Sequence, residues 1–204
     1  MSEKREAAGF FTLPAPLWEQ IRVTAGAFSV LVLVGFVVGA LRPAAIEPLL
    51  NLFSDMIELR GMEQLAGMEL AESIFSNNLF ALFWAIMLGF LPFLRLPALE
   101  LGLNALLLGG FASYYRHGGG SLVFYLAGVL PHGVTELSAL VVSCASGLWL
   151  CRTVTDRILG REDAPTIRET FSGCMRAYVR YIAPLLLISA LIEAFITPAI
   201  LSQF

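Results

Sequence analysis

Apolar residues run through this chain in stretches that are long enough to cross a lipid bilayer. The clearest stretch covers residues 23–41 and contains no charged side chain. A helix of that length is about 28 Å long, which matches the roughly 30 Å thickness of a hydrocarbon core. Similar stretches cover residues 79–94, 96–115, 121–150 and 178–200. The pattern predicts an all-α fold, a polytopic membrane bundle of about five transmembrane helices.

The fourth stretch is too long for one straight span. Residues 121–150 would form a helix of about 45 Å, half again the thickness of the core. Pro131 lies within this stretch and removes one backbone hydrogen bond. We therefore predict a helix that is broken at Pro131, with a short piece before it and a spanning piece from about Val134.

The segments between the spans are more polar, and the whole chain is expected to form a single transmembrane domain. Residues 1–22 are predicted to be a cytoplasmic tail, and residues 152–177 a cytoplasmic loop whose arginines set the topology. Residues 43–76 carry acidic side chains among apolar ones at helical spacing, which predicts an amphipathic helical segment on the outer side. This segment is either a solvated loop helix or a surface that binds a partner.

The distribution of basic residues predicts the orientation, because cytoplasmic loops are enriched in lysine and arginine. An inside N-terminus puts ten basic residues on the cytoplasmic side and three outside, and it places the C-terminus outside. The three outside are Arg42, Arg60 and Arg116.

Composition supports an integral protein of the cytoplasmic membrane. Hydrophobic residues make up 57% of the chain and charged residues 14%, and the formal net charge is -3. With no long cluster of basic residues, the chain is not expected to bind nucleic acid. The lipid bilayer is its first predicted partner.

Residues 131–136 place a helix breaker and two ionisable side chains inside an apolar run. His132 and Glu136 are four positions apart, so they share one face of a continuous helix. Ionisable groups at membrane depth are costly and usually face the interior of a bundle or a wet cavity. Small residues on the same face, Ser143 and Gly147, indicate that it packs against other helices.

Several further polar residues fall at a similar depth when the rise per residue is counted from the inner end of each span. The count places Glu136 at about 21 Å, Glu193 at about 18 Å, Asn78 at about 24 Å and His132 at about 27 Å, with Asn104 lower at about 12 Å. These five residues form the predicted intramembrane polar site.

Three roles for this polar site are compatible with its residue types. The groups could bond only to one another and fix the packing of the bundle. The carboxylates could share a proton or bind a monovalent cation in a transporter or channel. His132, Glu136 and Glu193 could hold a divalent metal, as in an intramembrane metal-dependent enzyme. A His-x-x-x-Glu spacing alone is a weak metal signal, and the chain has no nucleotide-binding or nucleophile motif that indicates an enzyme.

Two sequence blocks resemble those of a known family of membrane proteins. The first reads Pro131-His132-Gly133-Val134-x-Glu136, and the second reads Glu193-x-x-x-Thr197-Pro198. With the weaker matches at Asn78 and Asn104, they are similar to the stage II sporulation protein M family. The chain departs from the family pattern after Asn104, where Ala105 stands at a position that is often glycine.

The resemblance implies a multi-span protein without enzymatic activity that acts as a scaffold or assembly factor. The namesake of the family works with a peptidoglycan-degrading complex at the septal membrane of spore formers, and many relatives occur in organisms that do not sporulate. The resemblance also carries over Pro131, Gly133, Thr197 and Pro198 as structural motif positions. Small residues on the helices favour a homo-oligomer such as a dimer, or contacts with other membrane proteins.

Overall fold

The protein forms a bundle of long helices. The structure, a computed structural model, describes residues 12–48, 51, 65–161 and 163–204. In this part of the chain all regular structure is helical, and five helices are long and apolar enough to cross a membrane. They are α1 (Ala15–Leu41), α2 (Gly67–Met87), α3 (Leu96–His117), α4 (Leu122–Ile158) and α5 (Ile167–Leu201). The predicted all-α membrane bundle with five spans is confirmed.

The helices extend beyond the apolar stretches into the segments predicted to lie outside the membrane. Helix α2 begins at Gly67 rather than near residue 79, so it takes up the end of the predicted outer segment 43–76. Residues 43–48 and 51 of that segment are helical, and residues 49, 50 and 52–64 lie outside the described residues. Of the predicted cytoplasmic tail, the structure describes only the residues from 12 onward. Most of the predicted cytoplasmic loop 152–177 is helical, because α4 extends to Ile158 and α5 begins at Ile167.

Helix α4 is continuous through Pro131, so the predicted break at this residue is wrong. The helix comprises 37 residues and is therefore about 55 Å long, with Pro131 in its interior. A break would expose several backbone donors and acceptors where no water can satisfy them, whereas a proline within a continuous helix removes only one bond. Because the helix is longer than a hydrocarbon core of roughly 30 Å is thick, part of it extends beyond the bilayer core.

Helix α4 is also the centre of the bundle. Over its most apolar window 56% of the residues are buried, compared with 22–33% for the other four helices. It packs against all of them, with α1 and α3 forming one neighbouring pair and α2 and α5 another. Side chains on α4 therefore have the best access to groups from the rest of the fold.

Glycines bring α1 and α3 into close contact. A Cβ atom at Gly35 of α1 would lie 2.6 Å from the carbonyl oxygen of Leu106 on α3, and a Cβ at Gly109 of α3 would collide with the backbone of Val32. Gly39, one turn after Gly35, packs against Ser113 in the same way. This spacing of small residues is typical of tightly packed transmembrane helices.

Helix α5 contains two π-helical segments, Tyr178–Ile182 and Ile192–Ile196. In each, the N–H of the residue after the segment donates to the carbonyl five positions earlier, and the next residue is a proline, Pro184 or Pro198. A proline ring crowds the carbonyl of the preceding turn and donates no hydrogen bond, so a wider turn relieves the crowding. The second of these segments carries Glu193.

Candidate functional site

The polar site lies at the seam between α4 and α5. Because α4 is continuous, His132 and Glu136 lie one turn apart on the same face. Glu193 and Thr197 lie four positions apart on α5, where His132 Nδ1 is 3.3 Å from Thr197 Oγ1. One potential ligand atom from each of His132, Glu136 and Glu193 lies within 4.8 Å of those from the other two. The antiparallel helices thus pair His132 with Thr197 and Glu136 with Glu193.

Helix α2 contributes an amide to this seam. Asn78 Nδ2 donates a hydrogen bond of 3.0 Å to Glu136 Oε1. The neighbouring Asn77 donates from Nδ2 to Asn78 Oδ1 at 3.5 Å, which orients the Asn78 amide group. The structure therefore brings together Asn78, His132, Glu136 and Glu193, four of the five residues predicted to form the polar site.

Asn104 is not part of this cluster. Its side chain is exposed, and Nδ2 donates to the carbonyl oxygen of Glu100, one turn earlier on its own helix, at 2.9 Å. The adjacent Ala105 is fully buried, so consecutive positions on α3 point to different sides. The prediction that Asn104 joins the polar site is wrong. The depth count had placed it below the other four residues, and it was included through the weaker match to the family.

Thr197 Oγ1 has two hydrogen-bond partners. It lies 3.3 Å from the carbonyl oxygen of Ile192, within the second π segment of α5, and 3.3 Å from His132 Nδ1. When Thr197 donates to Ile192 it accepts from Nδ1 of His132, and in this tautomer Nε2 keeps its lone pair. When Thr197 donates to Nδ1 instead, the ring proton is on Nε2.

Ser189 is a member of the site that the sequence analysis missed. This fully buried residue donates from Oγ to the carbonyl oxygen of His132 at 3.2 Å, and the Glu136 carboxyl group lies beside the same hydroxyl. Thr135 donates to the same carbonyl at 2.8 Å. Ser189 precedes Glu193 by four positions, so helical spacing from a known polar residue was the signal that could have revealed it.

The motif position Gly133, beside the polar residues, is a site of close packing. Gly133 is buried, and a Cβ there would lie 3.3 Å from a side-chain carbon of Val129. Gly133 and Leu137 also border an apolar cavity of about 270 Å³ between α1, α3 and α4. No residue of the polar site lines this cavity.

The comparison with known families agrees with the motif blocks. The sequence matches that of stage II sporulation protein M over residues 25–198, which is most of the chain. The chain belongs to the stage II sporulation protein M family. All residues of the polar site fall within the matched region.

Similarity to individual relatives of the family is more limited. The chain is 33% identical to an uncharacterized protein of Methanocaldococcus jannaschii over 72 residues. The aligned part spans 35% of this chain and 40% of that relative, so it covers less than half of either protein. No solved structure matches the chain.

Family membership and the five apolar helices together establish a multi-pass membrane protein that contacts the lipid bilayer. Its polar cluster of His132, Glu136 and Glu193 combines residues from both motif blocks of the stage II sporulation protein M family. The two blocks are distant in sequence because they belong to antiparallel helices that meet at this point.

Proposed function

We propose that this member of the stage II sporulation protein M family is a scaffold or assembly protein of the cytoplasmic membrane, without enzymatic activity of its own. In this role the polar core fixes the arrangement of α2, α4 and α5, and the outer faces of the bundle hold other membrane proteins. The N-terminus lies inside and the C-terminus outside, as the distribution of basic residues favours.

The observation that supports this proposal is that the polar groups are used in bonds between helices. Asn78 bonds to Glu136 across the α2–α4 contact, and Ser189 and Thr197 bond to His132 across the α4–α5 contact. Hydrogen bonds between transmembrane helices contribute about 0.6 to 2 kcal/mol each, and unpaired groups at this depth would cost more. Such a network favours one fixed arrangement of three helices.

The outer faces of the bundle offer surfaces for partners. Helix α1 is the least buried span, and its exposed side includes Val30, Leu33 and Val37. The side of α1 that carries Gly35 and Gly39 packs against α3. A homo-oligomer or a complex with another membrane protein would therefore use the opposite side of α1, which exposes valine and leucine.

Quantitative cross-linking in native membranes tests the scaffold role. We expect the wild-type protein and the Asn104→Ala variant to cross-link to the same membrane proteins, and Asn78→Ala to lose these partners at equal expression. Asn104 is the matched control because its amide bonds only within its own helix. Turnover of lipid, peptide or cell-wall substrates by the purified protein, abolished by His132→Ala but not by His117→Ala, would refute the proposal.

A second candidate is a transporter or channel component, which the proximity of Glu136 and Glu193 favours. Two carboxylates from different helices could pass a proton or a monovalent cation along the seam. Flux measurements in proteoliposomes test this role with Glu136→Gln, and Glu100→Gln provides a matched control on α3. Flux that Glu136→Gln leaves unchanged would count against it.

A further inference from the structure

We infer that His132, Glu136 and Glu193 bind one divalent first-row transition metal ion, of the Zn²⁺, Mn²⁺ or Fe²⁺ class, at the seam between α4 and α5. The inference does not depend on the scaffold role, because a structural ion could fix the seam in a protein of any function.

The donor atoms are already close enough to converge on one ion. All three lie within 4.8 Å of one another, although they come from two different helices. A tetrahedral ion with bonds of about 2.0 to 2.1 Å separates its ligand atoms by about 3.3 Å. Both glutamate side chains have several rotatable bonds, and we expect rotations about these bonds to close the difference.

The charges of the site match a divalent ion. When both carboxyl groups are ionised, they and a neutral imidazole carry a formal charge of -2, which a divalent cation cancels. Among the described residues, the ion pairs join Arg152 and Arg161 to Asp156 near the end of α4, and neither Glu136 nor Glu193 takes part in one. Uncompensated charge is costly in a medium of low dielectric constant, so the pair of carboxyl groups takes up a proton or binds a cation. The imidazole donor beside the pair is a ligand that suits a transition metal ion.

Neighbouring side chains hold the ligands as supporting residues do in metal sites. In the tautomer with its proton on Nδ1, His132 donates to Thr197 and Nε2 is available as a metal ligand. Asn78 donates to Oε1 of Glu136, and the Ser189 hydroxyl lies beside the same carboxyl group. Ligating histidines and carboxylates are commonly oriented by such partners, and the loss of one typically weakens metal affinity 10- to 100-fold.

The ligand types indicate which ions are favoured. Imidazole suits Zn²⁺ and Fe²⁺, and carboxylates suit Mn²⁺, whereas Mg²⁺ and Ca²⁺ prefer shells made entirely of oxygen. Three protein ligands also leave a fourth position for water. The three ligand residues are only partly covered by the protein.

Direct metal measurement tests the inference. The full-length protein is purified without a histidine tag, dialysed against a chelator and titrated with Zn²⁺, Mn²⁺, Mg²⁺ or Ca²⁺, and bound metal is counted by mass spectrometry. We expect about one equivalent of Zn²⁺ or Mn²⁺ in the wild type and in Glu100→Gln, and an affinity at least 100-fold weaker in Glu136→Gln and Glu193→Gln. Binding of no transition metal by the wild type, or equal binding by all four proteins, overturns the inference.

Thr197 provides a test that separates ligation from folding. It is a positioning residue, so Thr197→Val should weaken Zn²⁺ binding about 10- to 100-fold, and Thr197→Ser should restore it. Co²⁺ can replace Zn²⁺ as a coloured probe, and we expect its visible absorption to indicate four-coordination and to change in His132→Ala. Cobalt spectra that are identical in the wild type and His132→Ala would overturn the assignment even if metal is bound. The scaffold role is tested separately by the cross-linking experiment. If the protein binds no metal and still cross-links to its membrane partners, the metal site is refuted and the proposed function stands.

Discussion

Asn78 on α2 and Glu136 on α4 are 58 positions apart in the chain, and their side chains are joined by a hydrogen bond of 3.0 Å. The neutral amide of Asn78 donates and the carboxyl group of Glu136 accepts. Through Glu136 it also connects α2 with the face of α4 that contacts Glu193 and Thr197 on α5. Three of the five spans therefore share one polar contact.

Removal of the Asn78 amide should loosen this contact. We expect Asn78→Ala to lower the free energy of unfolding by about 0.6 to 2 kcal/mol, because one hydrogen bond between transmembrane helices is lost and Glu136 Oε1 loses its donor. Unfolding in detergent, followed by tryptophan fluorescence, measures the change. Asn104→Ala is the control and should change stability by less, since its bond lies on an exposed side of α3. Equal losses in the two variants would show that the Asn78 bond has no special role.

The contact between α1 and α3 should depend on its glycines. A methyl group at Gly35 would lie 2.6 Å from the carbonyl oxygen of Leu106, so Gly35→Ala should push the helices apart and cost about 1 to 3 kcal/mol. Gly26, on the same helix, has no atom within 4 Å of an added Cβ. Gly26→Ala should therefore be neutral or stabilise the protein by up to about 1 kcal/mol. Thermal unfolding of the two variants, measured side by side, tests this interpretation. If both variants lowered the midpoint temperature by similar amounts, the interpretation would be contradicted.

Much of the fold could be predicted from the sequence because bilayer thickness imposes a strong constraint on apolar stretches. The number of spans followed from their lengths, but the start of α2 at Gly67 did not, because its first turns contain Glu69 and Glu72 and are not apolar. The continuity of α4 was missed because a proline rule from soluble helices was applied to a helix whose surroundings penalise exposed backbone.

The polar site was predictable only in part, for a geometric reason. Depth along a helix is a linear count, and it placed His132, Glu136, Glu193 and Asn78 together. The same count placed Asn104 lower than these four, and the family match that included it does not specify the direction of its side chain, which depends on the packing of the whole helix. The π segments also alter the direction of residues on α5, and hydropathy contains no signal for them. A proline two residues after each segment is the clue that could have been used.

Pro131 should be replaceable, since it does not interrupt α4. Pro131→Ala restores a backbone donor within a continuous helix, and we expect it to raise the free energy of unfolding by up to about 3 kcal/mol. The contacts of His132 and Glu136 should persist, so cross-linking between cysteines introduced at the outer ends of α4 and α5 should be unchanged. A marked decrease in the free energy of unfolding of Pro131→Ala would show that Pro131 stabilises the folded protein.

The orientation of the bundle can be tested with single cysteines, because the native ones do not interfere. Cys144, Cys151 and Cys174 are all buried, so a maleimide that cannot cross membranes should leave them unlabelled. His117 at the end of α3 and Arg161 after α4 are exposed and lie on opposite sides of the predicted topology. We expect His117→Cys to be labelled in intact cells whose outer surface is accessible, and Arg161→Cys only after permeabilisation.

The ion pair that Arg161→Cys removes is an exposed one with Asp156, worth at most about 1 kcal/mol, so the variant should fold. The reverse labelling pattern would place the C-terminus inside. It would also put the acidic segment before α2 in the cytoplasm and the basic residues around α4 and α5 outside, against the usual distribution of positive charge. The polar seam would then lie nearer the cytoplasmic face, and its ion would come from the cytoplasmic metal pool.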